Sequence, residues 1–123
     1  MKSYCLIHLP TGRTVATVRR ADNWWGKGWG VMGLRGLPVG EGLWLPGVTS
    51  VHTAFVRFPL DLLFLDADFQ TIRLAPETPA WRLLISAPGA FHTLELGHGT
   101  LARFSPQACL GDAWQLEPSD IAT

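Results

Sequence analysis

The segment from Leu60 to Leu65 constrains the fold of this chain more than any other part of the sequence. Its residues are nearly all apolar, and the run is bounded by the acidic residues Asp61 and Asp66. A continuous apolar run of this length is typical of a strand that is buried on both faces. The segment therefore predicts a central strand of a β-sheet.

Further short strands are predicted on both sides of this run. Pro10-Thr11-Gly12-Arg13 is a turn signal between two apolar runs, which indicates a β-hairpin, and 66–69 is predicted as a second hairpin turn. We predict strands over 4–9, 14–18, 43–45, 48–58, 71–74, 91–96 and 113–116. The many short strands and frequent turns favour a sheet-dominated fold.

Two short helices are predicted in addition to the strands. Asp22 or Asn23 is a suitable cap for a helix through about Met32, although the glycines in that stretch weaken it. A second short helix is expected over 100–104. The predicted fold class is therefore α+β: one small domain over 1–123, dominated by antiparallel strands in a sandwich- or barrel-like arrangement.

Composition narrows the class of protein. The chain has 123 residues, of which 47% are hydrophobic and 16% charged, with a formal net charge of zero. A chain of this size buries enough apolar surface to fold without a disulfide or metal, so Cys5 and Cys109 are expected as free thiols. No segment is long enough for a signal peptide core or a membrane span, and a cytoplasmic location is expected. Neutral charge makes nucleic acid an unlikely partner.

The segment from Ser50 to Asp61 combines apolar residues with unusual polar ones. One interpretation is structural: Arg57 and Asp61 lie on either side of Pro59, and a bend there would pair them through charge-assisted hydrogen bonds. The other interpretation is a small polar site formed by His52, Arg57 and Asp61, since a histidine oriented by a carboxylate can act as acid, base or ligand.

No metal or cofactor is predicted. The plausible metal ligands are His52, Asp61, His92 and Glu95. His92 and Glu95 are three residues apart, so in a strand they face opposite ways and do not share a metal.

The tryptophan-rich stretch 24–44 suggests a different surface. Trp24, Trp25, Trp29 and Trp44 lie among glycines and basic residues. Aromatic platforms beside cations bind nucleic acid strands, sugars or protein partners by stacking. The alternative interpretation is that these side chains cover the core.

Three motifs resemble a known family. They are Gly30-Val31-Met32-Gly33 followed by 34–43, Ser50-Val51-His52-Thr53 followed by 57–66, and Leu94-Glu95-Leu96 followed by Gly99-Thr100 and Gly111-Asp112. In this order they resemble domain-of-unknown-function family 192. The resemblance implies a compact, mostly β domain and no particular activity. The residues that match its pattern and form our candidate binding site are His52, Thr53, Arg57, Asp61, Glu95 and Asp112.

These observations lead to three functional hypotheses. The first is a non-enzymatic binding or accessory module with a small polar pocket that takes a small ligand or a partner protein. The second is a small hydrolase-like or metal-assisted enzyme that uses His52 and Asp61. The third is an interaction protein that uses the tryptophan-rich loop.

Overall fold

The structure is a computed structural model, and its described part contains nine strands. The structure describes residues 2–20, 37–47, 50–51, 58–79, 85–104 and 108–119. The strands are β1 (Ser3–His8), β2 (Arg13–Arg20), β3 (Glu41–Pro46), β4 (Ser50–Val51), β5 (Leu60–Leu65), β6 (Thr71–Thr78), β7 (Ile85–Ser86), β8 (His92–Gly97) and β9 (Trp114–Pro118).

Seven of these strands form one curled sheet in the order β6-β5-β8-β3-β2-β1-β9, and β4 pairs with β7 in a second, two-stranded sheet. Neighbours in the large sheet are antiparallel except β2 and β3, which are parallel. The two edge strands meet at one end, where Gln70 bridges Ala113 and the Thr71 nitrogen donates to the Asp112 carbonyl at 2.8 Å. The sheet is therefore an incomplete barrel.

Side chains alternate between an enclosed inner face and an outer face because strand residues two apart share a side. The inner core takes residues from six strands, including Leu6, Val18, Trp44, Leu94 and Trp114. The outer cluster contains apolar residues of β3 and β5 with Ala87 and Ala90 against them.

The prediction for Leu60–Leu65 is confirmed, because every residue of β5 is buried. Leu63 and Leu65 belong to the inner core, whereas Leu60, Leu62 and Phe64 belong to the outer cluster. The two predicted hairpins are also present. Gly12 makes the first turn with a φ of 71°, a left-handed conformation that glycine adopts without strain.

The prediction of an α+β fold is wrong: the described residues contain strands and turns but no helix. The predicted helix over 100–104 is a single turn, in which the Arg103 nitrogen donates to Gly99 and the Phe104 nitrogen to Leu101. Gly99, which begins this turn, is left-handed with a φ of 92°, and the Leu101 nitrogen donates to a carboxylate of another strand. The helix predicted from Asp22 or Asn23 to Met32 lies outside the described residues.

No helix long and apolar enough to cross a bilayer was found among the residues that the structure describes.

Candidate functional site

Asp61 connects three parts of the barrel through its side chain. It lies on the inner face of β5 and is fully buried. Its Oδ1 accepts a hydrogen bond from the Glu77 nitrogen of β6 at 2.9 Å, and its Oδ2 accepts one from the Leu101 nitrogen of the turn after β8 at 2.8 Å. Both carboxylate oxygens therefore accept hydrogen bonds from backbone nitrogens that do not pair with a neighbouring strand.

The Glu77 end of this contact is a β-bulge. Leu60 pairs with Thr78 and Leu62 with Ala75, so that Pro76 and Glu77 together oppose Asp61. Glu77 has a φ of 54°, in the left-handed region that a residue with a side chain seldom adopts. Such strain costs about 1–3 kcal/mol and clusters at active sites and ligand clamps. Bulges are common at sheet edges, where β6 lies, and next to active sites.

The bulge forms one wall of an opening between β6 and the 97–104 turn, which we call the side cleft. Its volume is about 260 Å³. The described residues that line it are Leu74, Pro76, Glu77, Leu101, Ala102 and Ala108. The side cleft is therefore a mainly apolar opening with Glu77 among its lining residues, and the two segments that form its walls are the ones that Asp61 holds.

Glu95 lies on the opposite face of the sheet from Asp61. It pairs with Leu43 on one side and Leu62 on the other, and these belong to the outer cluster. Its side chain is 3% exposed, and Oε1 has no hydrogen-bond partner among the described residues. Burial raises the pKa of the Glu95 carboxyl to about 7 because the charged form loses its hydration.

Asp112 lies where the edge strands meet, and it binds His8 of β1. Asp112 Oδ2 lies 2.7 Å from His8 Nε2 and also accepts from the Cys109 nitrogen at 2.8 Å. His8 Nδ1 lies 3.0 Å from the Thr11 hydroxyl, and its ring is buried. The hydrogen bond from His8, followed by that from the Cys109 nitrogen, holds the pKa of Asp112 below its ordinary value. Both ring nitrogens of His8 are engaged, so the cluster stabilises the closure of the barrel.

The structure does not bring together the three described members of the predicted site, which are Asp61, Glu95 and Asp112. Asp61 lies on the inner face and Glu95 on the outer face, while Asp112 is bonded to Thr71, which pairs with the far end of β5. Leu65 at that end is four positions along the strand from Asp61, a distance of roughly 13 Å. The remaining three predicted residues lie outside the described part of the chain: His52, Thr53 and Arg57.

His92 was considered as a metal ligand, and it lies on the inner face. As the spacing predicts, it faces away from Glu95. Its Nδ1 accepts a hydrogen bond from Trp44 Nε1 at 3.0 Å, and its ring stacks on Phe69 at 4.2 Å. Burial, and secondly the charge of Arg20, lower the pKa of His92, so the ring is neutral at pH 7. Among the described residues no group of three histidine, cysteine or acidic side chains forms a metal site.

Trp44 was considered either as part of an interaction surface or as a residue that covers the core, and it is a core residue. Its ring packs edge-on against Tyr4 and lies under the Arg20 guanidinium, 4.9 Å from the ring centroid. Trp24, Trp25 and Trp29 lie outside the described residues.

Sequence reasoning missed Glu77 and His8. A strand was predicted only to Leu74 because Pro76 was interpreted as a loop residue, whereas β6 continues to Thr78. Proline within a strand is a known signal of a bulge, so Pro76 was the available sign. Nothing in the sequence near His8 indicates its partner, which is 104 residues away.

The fold and the side cleft define a small all-β protein, in its described part, built as an incomplete barrel with an opening in its wall. The chain belongs to the DUF192 family, described as Uncharacterized ACR, COG1430, whose model matches residues 7–108. The resemblance found in the sequence is thereby confirmed.

Two solved structures share the fold. A putative transcription regulator from Sinorhizobium meliloti 1021 matches with a TM-score of 0.78 and 24% identity, over 94% of this chain and 92% of that chain. A protein of unknown function from Novosphingobium aromaticivorans DSM 12444 matches with a TM-score of 0.71 and 20% identity, over 92% of this chain and 83% of that chain. None of the curated proteins matches significantly. At these identities the likeness establishes the fold alone.

Proposed function

We propose that this DUF192 protein is a non-enzymatic binding module, and that its ligand is a small organic cation with an apolar body that lies in the side cleft. The observation that carries the proposal is the strained bulge at Glu77, fixed by the buried Asp61, beside a mainly apolar cleft that Glu77 itself lines.

The volume of the cleft sets the size of the ligand. At about 260 Å³ it is slightly smaller than the range typical of drug-sized ligands. A ligand of roughly ten non-hydrogen atoms fits such a space, and its apolar part would contact Leu74, Leu101 and Ala108. Contact with these side chains supplies most of the binding free energy, because removing apolar surface from water contributes about 25 cal/mol per Å².

The charge of the ligand follows from Glu77. Among the described lining residues it is the one ionisable side chain. It is exposed, so its attraction for a cation is worth only about 1 kcal/mol or less. This contribution is too small to bind a bare cation, but it is large enough to select a cationic ligand over an anion of the same shape.

The arrangement of Asp61 favours binding over catalysis. Its two oxygens accept backbone hydrogen bonds and its side chain is fully buried, so it positions the cleft walls and does not face a ligand. General acid–base chemistry needs a group within hydrogen-bond reach of the reacting atoms. The alternative enzyme hypothesis, which pairs Asp61 with His52, therefore has less support.

Benzylamine is a suitable probe, since it combines a phenyl ring with an ammonium group. Its eight or so non-hydrogen atoms, at about 0.5 kcal/mol each, correspond to a Kd on the order of 1 mM. A titration followed by ¹⁵N–¹H chemical shifts should move the amide signals of Leu74, Glu77, Leu101 and Ala102 saturably. Benzyl alcohol should bind more weakly, and benzoate should bind least.

Matched variants separate charge from shape. Glu77→Gln should weaken benzylamine binding about three- to fivefold and leave benzyl alcohol unchanged, because only the ion pair is lost. Glu117→Gln removes an exposed carboxylate on β9 that does not line the cleft, and it should change neither Kd. Benzoate binding as tightly as benzylamine, or no saturable shifts at the cleft, would refute the proposal.

A further inference from the structure

A second recess lies on the other side of the 97–104 turn from the side cleft. It has a volume of about 280 Å³ and is lined by Arg13, Thr14, Val15, Arg103 and Phe104. Leu101 and Ala102 of the same turn line the side cleft, whereas Arg103 and Phe104 line this recess. We call it the arginine recess. Its described lining contains two guanidinium groups and no carboxylate.

The two arginines are held in place by different contacts. The Arg13 guanidinium lies over the Phe104 ring, 5.7 Å from its centroid. Arg103 Nη2 donates to the Val15 carbonyl at 3.4 Å, which is a long hydrogen bond. Since a guanidinium carries five N–H donors in a fixed fork, this contact uses a small part of what Arg103 can offer an acceptor.

Gly40 provides the space that Arg103 occupies. A Cβ at this position would overlap Arg103 Nη2, and Gly40 has a φ of 88°, where side chains are strained. The Gly40 nitrogen donates to the Thr100 hydroxyl at 2.9 Å, which fixes the backbone at this point. The guanidinium is thus seated in a gap that the backbone leaves open beside the recess.

We propose that the arginine recess binds a phosphate group, either as the free anion or as a small phosphomonoester. A guanidinium group matches the oxygens of a phosphate in both geometry and charge, and two arginines line this recess. The Thr14 hydroxyl lines the same recess and can donate a further hydrogen bond. The volume exceeds what a single phosphate fills, so it leaves room for a short polar organic part.

The test uses inorganic phosphate and glycerol 3-phosphate as probes, titrated into the whole protein at low ionic strength by calorimetry. Arg13→Gln and Arg103→Gln should each raise the Kd for phosphate about fivefold or more. Arg19→Gln removes an exposed arginine of β2 outside the recess and should raise it no more than about twofold. Thermal unfolding of all three variants checks that they are folded.

The two probes identify the source of the phosphate. Tighter binding of glycerol 3-phosphate indicates a phosphomonoester, and equal binding indicates the free anion; both results support the site, provided that the recess variants weaken the binding. If Arg19→Gln lost as much phosphate affinity as the two recess variants, the binding would reflect general charge attraction and the proposal would be overturned. The absence of binding heat for both probes would also overturn it. Neither result bears on benzylamine in the side cleft, so the two proposals fail independently.

Discussion

Oδ1 of Asp61 lies 2.9 Å from the backbone nitrogen of Glu77, so a fully buried carboxylate on β5 fixes a left-handed residue on the neighbouring strand. The other oxygen of the same carboxylate holds the Leu101 nitrogen. One side chain thus sets the positions of both walls of the side cleft, and this relationship connects the fold to the proposed binding function.

Replacing Asp61 by asparagine should be strongly destabilising. The two N–H groups bind different oxygens, and an amide offers only one acceptor, so one buried N–H loses its partner. We expect the free energy of unfolding to fall by about 2–4 kcal/mol, measured by chemical denaturation.

Asp66→Asn is the matched control for that substitution. Asp66 accepts hydrogen bonds from the nitrogens of Asp68 and Gln70 with the same oxygen, Oδ1, and an asparagine can keep both. Asp66→Asn should therefore lower the free energy of unfolding by less than about 1 kcal/mol. Equal effects of the two substitutions would show that the clamp by Asp61 does not matter.

The strain at Glu77 predicts a reversed preference between glycine and alanine. At an ordinary strand position glycine is less stable than alanine by about 0.5–1 kcal/mol. At a φ of 54° the penalty on a Cβ outweighs this, so Glu77→Gly should be more stable than Glu77→Ala by about 1 kcal/mol. At Arg73, an exposed residue of β6, the alanine variant should be more stable than the glycine variant in the same denaturation experiment. The same order at both positions would contradict the strained bulge.

The raised pKa of Glu95 predicts that the free energy of unfolding decreases as the pH rises. Its folded pKa of about 7 lies above the ordinary value of 4.5, so between these values the folded state holds a proton that the unfolded state has lost. Its contribution is therefore complete below pH 4.5 and disappears by about pH 7. Glu95→Gln removes this dependence, and at pH 8 it should be more stable than the wild type by about 1–3 kcal/mol. A variant of unchanged or lower stability at pH 8 would argue against a buried neutral acid.

Asp112 predicts the opposite behaviour in acid. Its folded pKa lies below the ordinary value of 3.8, so its contribution is present above that value and is lost as the pH falls through the lowered pKa. The hydrogen bond from His8 is the main cause. In His8→Leu the pKa of Asp112 should rise towards 3.8 without reaching it, since the Cys109 nitrogen still donates. This pKa can be measured from the pH dependence of the carboxyl ¹³C chemical shift. An unchanged pKa would show that His8 is not the cause.

Much of the sheet was predictable because local patterns determine it. The apolar run at Leu60–Leu65 and the turn at Gly12 each indicate their structure within a few residues, and both predictions are confirmed. The helix predicted over 100–104 was wrong, because the described residues there form a single turn. The Leu101 nitrogen has a carboxylate partner 40 residues away in sequence, which local propensity does not contain.

The site was less predictable than the fold. Asp61 was selected from the sequence, but its expected partner was a side chain and its described partners are backbone nitrogens. The separation of Asp61 from Glu95 follows from the register of β5 and β8, which a one-residue shift would reverse. Register depends on pairing between distant segments, and the sequence of either strand alone does not specify it.

The position of bound benzylamine tests the central proposal most directly. Nuclear Overhauser contacts between its ring protons and the protein methyl groups can be measured at saturating ligand. We expect contacts to the methyls of Leu74 and Leu101 on the two walls of the side cleft. Contacts only to methyls outside the lining of the side cleft, or none at saturation, would contradict a ligand site beside the bulge that Asp61 holds.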